Sequence, residues 1–216
     1  MKKIILLIIC VLLLIGCDKL ENKNEDVINK GDWVIDITSE KETLEDDVLQ
    51  IFERAKSNFN GKLEYVSLLG KQVVAGVNYM FLCHDDVGYK IAIVYNNLEN
   101  VSQITHTSDF DPIKYVNENI EGNNLRLAGG WYSEIKEGQL PLEIDNYFNK
   151  AIDKLSKRFY PIALMAHENK SGTNYAVLCY SDDEVVGVYM LTLYIDETNQ
   201  PSIVSIANVD LKEFNR

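Results

Sequence analysis

The sequence predicts an α+β chain of two tandem domains, each built from one helix packed on a four- to five-stranded antiparallel sheet. Two observations carry that prediction: the chain repeats itself, and within each repeat the apolar periodicity changes from helical to extended. Ile51-Phe52-Glu53-Arg54-Ala55 aligns with Tyr147-Phe148-Asn149-Lys150-Ala151. Without a gap, the same register carries Gly76-Val77-Asn78-Tyr79 onto Gly172-Thr173-Asn174-Tyr175 and Leu82-Cys83 onto Leu178-Cys179. A short internal repeat of this kind places one supersecondary unit in each half.

The amino terminus comes first in order. Lys2 and Lys3 precede an apolar run from Ile4 to Ile15, too short for a stable spanning helix and suited to a signal-peptide core. The run ends in Leu14-Ile15-Gly16-Cys17, which resembles a bacterial lipobox, so residues 1-17 are expected to be a lipoprotein signal peptide with Cys17 lipidated. That implies a bacterial cell-envelope protein, held by lipid on the extracytoplasmic face of a membrane. Residues 18-30 are rich in Asp, Glu, Asn and Lys and poor in large apolar residues, the composition of a tether. A flexible coil of this length has an end-to-end distance of roughly 20 Å.

Domain 1 is expected over residues 31-111, a linker over 112-128, and domain 2 over 129-216. Leu44, Val48, Phe52, Ala55 and Phe59 recur at spacings of three and four, the stripe of an amphipathic helix, and Ile144, Phe148, Ala151, Ile152 and Leu155 repeat it. After the first helix come four extended runs rich in Val, Ile, Tyr and Phe, near 63-75, 77-84, 88-96 and 101-107, broken by Gly, Asn and Asp. A helix covering one face of such a sheet supplies the apolar layer of a small domain.

The formal net charge is -12, and it becomes -14 once Lys2 and Lys3 leave with the signal. An acidic exterior argues against nucleic acid and against charge-driven adhesion to anionic lipid. Features that look chemical have plainer readings. Cys83 and Cys179 occupy equivalent strand positions and are expected to be buried as small hydrophobes. His84-Asp85-Asp86 sits where a hairpin turn is expected, and His84, His106 and His167 are too far apart in sequence for a ligand set, so no metal or cofactor is expected. Trp33 and Trp131 stand at similar distances ahead of the two helices and are expected to pack over the sheet or helix end. No phosphate loop, nucleophile elbow or acid-base pair appears, so the chain is not expected to be an enzyme.

One run does suggest an activity. Gln72-Val73-Val74-Ala75-Gly76 would place two branched aliphatic side chains at or near a turn, with Gly76 free to take a positive φ. Two readings are open: the valines belong to a strand and face their own core, or they protrude and await a partner. The run resembles the Gln-x-Val-x-Gly first hairpin of the cystatins, and residues 29 to 111 resemble the small stefin-like members of that superfamily. The second repeat resembles the first.

The resemblance implies a reversible, competitive inhibitor of papain-like cysteine peptidases that wedges three apolar segments into the enzyme's cleft. Carried over residue by residue, the protease-binding set is Gly31, then Gln72, Val73, Val74, Ala75 and Gly76, then a second tip at Asn97 and Leu98. Three departures stand out: Asp32 follows Gly31, the second tip lacks proline, and the second repeat reads Glu168-Asn169-Lys170-Ser171-Gly172. The alternative is a non-inhibitory cystatin-like lipoprotein that binds another protein or ligand at the cell surface.

Overall fold

The computed structural model describes residues 31-35, 41-116, 130-133, 140-183 and 186-215; side chains are described from residue 46 onward in the first helix. The expected signal peptide, Cys17 and the tether lie outside the described residues, as does most of the expected linker. The elements in chain order are α1 (Lys41–Lys56), β1 (Glu64–Val74), β2 (Gly76–His84), β3 (Tyr89–Asn96), β4 (Ser102–Asp109) and a helical turn, α2 (Ile113–Val116). Then follow β5 (Tyr132–Ser133), α3 (Leu142–Ile152), β6 (Tyr160–Lys170), β7 (Gly172–Ser181), β8 (Gly187–Ile195), β9 (Pro201–Val209) and a 3-10 turn, Leu211–Phe214.

The expected class, α+β with two helix-on-sheet domains, is corrected by this architecture. The protein is mostly β: 48% of the described residues are strand against 19% helix. They form one antiparallel sheet of four strands, β1-β2-β3-β4, and one of five, β5-β6-β7-β8-β9. The two sheets pack face to face. Leu69, Met80, Leu82, Ile91 and Ile93 of the first share one apolar core with Ala163, Met165, Leu178, Met190 and Ala207 of the second.

The physical reason lies in strands that are apolar on both faces. In Met80-Phe81-Leu82-Cys83, Met80 and Leu82 meet the other sheet, whereas Phe81 and Cys83 turn outward to Val48, Phe52 and Ala55 of α1. β8 does the same: Val188 and Met190 face the first sheet, while Leu191 and Leu193 face Ile144, Phe148 and Ala151 of α3. A sheet with two apolar faces cannot be satisfied by one helix, because the uncovered face would lose roughly 25 cal/mol for each Å² left wet. Each helix is therefore an outer cover on a two-sheet core.

The two repeats match down to their irregularities. Bulges interrupt β1/β2 at Tyr65/Ser67 and Leu68/Gly70, and β6/β7 at Pro161/Ala163 and Leu164/Ala166. Further shifts fall at Ile93/Val94 and at Thr192/Leu193. Polar ties cross between the halves: Tyr89 donates to the Leu164 carbonyl at 3.1 Å, and Lys114 pairs with Glu213 at 2.6 Å. Trp33 and Trp131 both pack against the shared core, in keeping with the packing role expected of them.

Candidate functional site

The expected wedge residues meet at one end of the first sheet. β1 and β2 reverse direction about Ala75, with Val73 paired to Val77 and Val74 to Gly76. Gly76 has φ +125°, and a Cβ there would lie 2.6 Å from the Asn96 carbonyl oxygen and 2.8 Å from the Tyr95 ring. Only glycine lets the hairpin close this tightly against β3. The Tyr95 hydroxyl donates to the Ala75 carbonyl and ties the reversal from the side.

Val73 and Val74 are each 41% exposed, so the reading that buries them in their own core does not hold for these side chains. The β3-β4 turn emerges beside them. Asn97 is partly buried, and its Oδ1 accepts the backbone N–H groups of Glu99 and Val101, both at 2.9 Å, so its side chain shapes the turn. That shaping presents Leu98, 85% exposed, and Val101. Asn100 completes the turn at φ +60°, a conformation asparagine tolerates.

On the other flank, Val34 and Lys71 exchange backbone hydrogen bonds of 2.7 and 2.8 Å, which seats the upstream segment against β1. Exposed Gly31 is brought to the hairpin through Gln72. Gln72, which the resemblance places in the protease-binding set, is itself only 7% exposed, its Nε2 donating to the Gly31 carbonyl at 2.7 Å and its Oε1 accepting from Asn78 at 2.7 Å. Sequence reasoning missed the roles of Tyr95 and Asn78. Their recurrence as Tyr194 and Asn174 beside Gly172 is the signal that could have found them.

The second repeat builds the same scaffold with other chemistry. Gly172 has φ +103°, the Tyr194 hydroxyl donates to the Ser171 carbonyl, and Asn174 donates to Glu168 at 3.2 Å. Asp196 takes the place of Asn97, accepting from the backbone of Thr198 and Gln200 at 2.8 Å each, and Asn199 repeats the positive φ at 59°. Yet Val73, Val74 and Leu98 are replaced by Asn169, Lys170 and Glu197. Lys170 folds back onto Glu168 at 2.8 Å.

The remaining candidates are structural. His84 precedes a turn in which Asp85 Oδ1 accepts from Val87 N–H at 2.7 Å and Gly88 N–H at 2.9 Å. The Gly88 and Val87 donors hold the Asp85 carboxyl below the usual range. Cys83 and Cys179 are buried and free, and burial pushes both thiols far up. Among the described residues no group of three or more His, Cys, Asp or Glu could hold a metal ion, and no helix is long and apolar enough to cross a membrane.

A cleft of about 360 Å³ opens at the opposite end of the first sheet, between Phe59, Lys62, Asp85, Lys90 and Asp109. Its charges are already matched: Lys62 with Asp86 at 2.5 Å, and Lys90 with Asp109 at 2.5 Å and Asp85 at 3.3 Å. Compared with known proteins, the chain matches no family profile and no curated protein.

Proposed function

We propose that this protein is a lipid-anchored, reversible inhibitor of papain-like cysteine peptidases, acting by steric occlusion through the tip of the first repeat. One observation carries the reading. The two repeats share the same tip backbone, yet Val73, Val74 and Leu98 stand exposed in one where Asn169, Lys170 and Glu197 stand in the other. The fold therefore does not need apolar side chains at these positions. Fully burying an exposed aliphatic side chain gains on the order of 1.5 to 3 kcal/mol; Leu98, 85% exposed, has most of that still to gain against a partner, and the two valines, 41% exposed, less than half. The resemblance of Gln72 to Gly76 to the cystatin hairpin, with Gly31 and Leu98 on either side, supports a peptidase cleft as the partner.

Such a role needs no nucleophile. The tips would lie across the substrate groove and present no peptide bond for attack, while Cys17 would hold the inhibitor at the extracytoplasmic face of the membrane. The alternative, a cystatin-like lipoprotein that binds another protein or ligand, is favoured by Asp32, which pairs with Lys212 at 3.6 Å beside the upstream segment, and by the polar second tip. Titration of papain with the full chain in mild detergent separates the two. Submicromolar inhibition that is lost in Val74→Asp supports the inhibitor. No inhibition at high micromolar concentration removes it in favour of the alternative.

A further inference from the structure

The hairpin is closed by Gly76 and Tyr95, and the exposed surface is supplied by Val73, Val74 and Leu98; neither function needs Gln72. Its side chain is nonetheless buried and doubly engaged, donating to Gly31 and accepting from Asn78. A primary amide donates and accepts in one rigid plane, which an ionised carboxylate of the same length cannot do. The second repeat holds that carboxylate. Glu168 is equally buried and still accepts from Asn174, but its Oε2 is also occupied by Lys170, and it has no hydrogen to offer an upstream carbonyl.

We infer that Gln72 is a positioning residue: its amide clamps the Gly31 carbonyl to the hairpin and holds the upstream segment level with the valine tip before any partner arrives. Upstream of the Val34–Lys71 bridge, the segment is held by Trp33, which packs against the shared core, by this amide at Gly31 and by an exposed ion pair between Asp32 and Lys212 at 3.6 Å. The exposed pair contributes little, because solvent screens it. Trp33 anchors the segment to the core, and the Gln72 hydrogen bond, short and shielded, sets where its Gly31 end sits against the hairpin. The inference rests on the tip being an interface only for its consequence in binding; the clamp itself is testable without a partner.

The test is Gln72→Glu in the full chain, with Gln72→Leu beside it, read by hydrogen exchange of the Val34 amide relative to the Val77 amide. At pH 7 both variants should lose protection at Val34 by about 2- to 13-fold, the range for one net hydrogen bond, with Val77 unchanged. On acidification the carboxyl introduced at position 72 takes up a proton and regains an O–H donor, so protection returns in Gln72→Glu and not in Gln72→Leu. Asp32, Lys71 and Lys212, the charged groups along this segment and its bridge, are common to wild type and variants, so wild type sets the baseline. Unchanged exchange at Val34, or a loss spread evenly over both amides with no recovery in acid, overturns the clamp. Where wild type inhibits papain, Gln72→Glu should raise the dissociation rate by a similar factor at pH 7. A wild type that does not bind papain ends the peptidase reading and leaves the exchange result to decide the clamp.

Discussion

Gly76→Ala is the sharpest structural test of the tip. The φ of +125° lies in a region that L-residues occupy at a cost of about 1 to 3 kcal/mol. The added methyl would also sit 2.6 Å from the Asn96 carbonyl oxygen, and that oxygen cannot retreat, because Asn96 is paired in register with Val77 and its side chain is hydrogen-bonded to Ser102 at 2.8 Å. Adding roughly 1 kcal/mol for that displacement gives a destabilisation of about 2 to 4 kcal/mol. For a protein of this size the melting temperature falls by about 2 to 4 °C per kcal/mol. The assay is urea and thermal unfolding followed by circular dichroism, with Gly88→Ala as the control. At Gly88 a Cβ meets nothing within 4 Å and φ is not positive, so that variant should match wild type or gain a few tenths of a kcal/mol. Equal stability of the two variants would refute the argument that the tip depends on glycine.

Four further outcomes are expected. Replacing Val73, Val74 and Leu98 by Asn, Lys and Glu, the residues of the second tip, should abolish any papain inhibition while shifting the unfolding free energy by less than about 1 kcal/mol, since the fold already carries that set once. Leu178→Ala, which opens a cavity in the core between the sheets, should cost about 2 to 5 kcal/mol, and unfolding followed by tryptophan fluorescence should coincide with circular dichroism; two separated transitions would contradict a shared core. Cys83 and Cys179, both buried with thiols raised far above their ordinary range, should resist alkylation at pH 8 and react only on unfolding. Asp85 and Asp196 have carboxyls held low by hydrogen bonds from Gly88 and Val87 and from Gln200 and Thr198, so their contribution is complete above the unfolded aspartate value near 3.9 and is lost as the pH falls through the lower folded values. Asp85→Asn with Asp196→Asn should flatten the acid limb of a stability-against-pH curve.

The parts of the molecule that depend on local pattern are legible in the sequence. Val48, Phe52 and Ala55, and Ile144, Phe148 and Ala151, line the buried faces of their helices as the three-four spacing requires. The strands run close to the expected bounds, and the Asp85 turn and the buried cysteines follow from residue type. The fold class is harder to read, for a physical reason. Near-continuous apolar runs such as Ile91 to Val94 and Val188 to Leu191 signal a strand, but a strand apolar on both faces also needs cover on both. Such runs ask for a second layer beyond the helix, and the other repeat is the one available in the chain. Long-range ties leave a fainter mark. Nothing in the spacing of Gln72 and Gly31 joins them, because their contact depends on a bridge, Val34 to Lys71, between segments far apart in the chain.

The repeat also separates what the architecture demands from what it merely permits. Glycine, tyrosine and asparagine recur at Gly76 and Gly172, Tyr95 and Tyr194, and Asn78 and Asn174, each bound into the same closing contacts, so these residues belong to the tip as a structure. Beyond the buried Gln72 and Glu168 and the turn-shaping Asn97 and Asp196, the side chains that differ include those the scaffold leaves exposed. In a chain of net charge -12, three adjoining exposed aliphatics at a place where the sister tip carries an amide, a cation and an anion are a local exception to an acidic surface. The sister tip shows that the fold can do without it. An apolar groove that takes a hairpin tip would cover what is still exposed here, which is the occupancy the proposed inhibition requires and the papain titration tests.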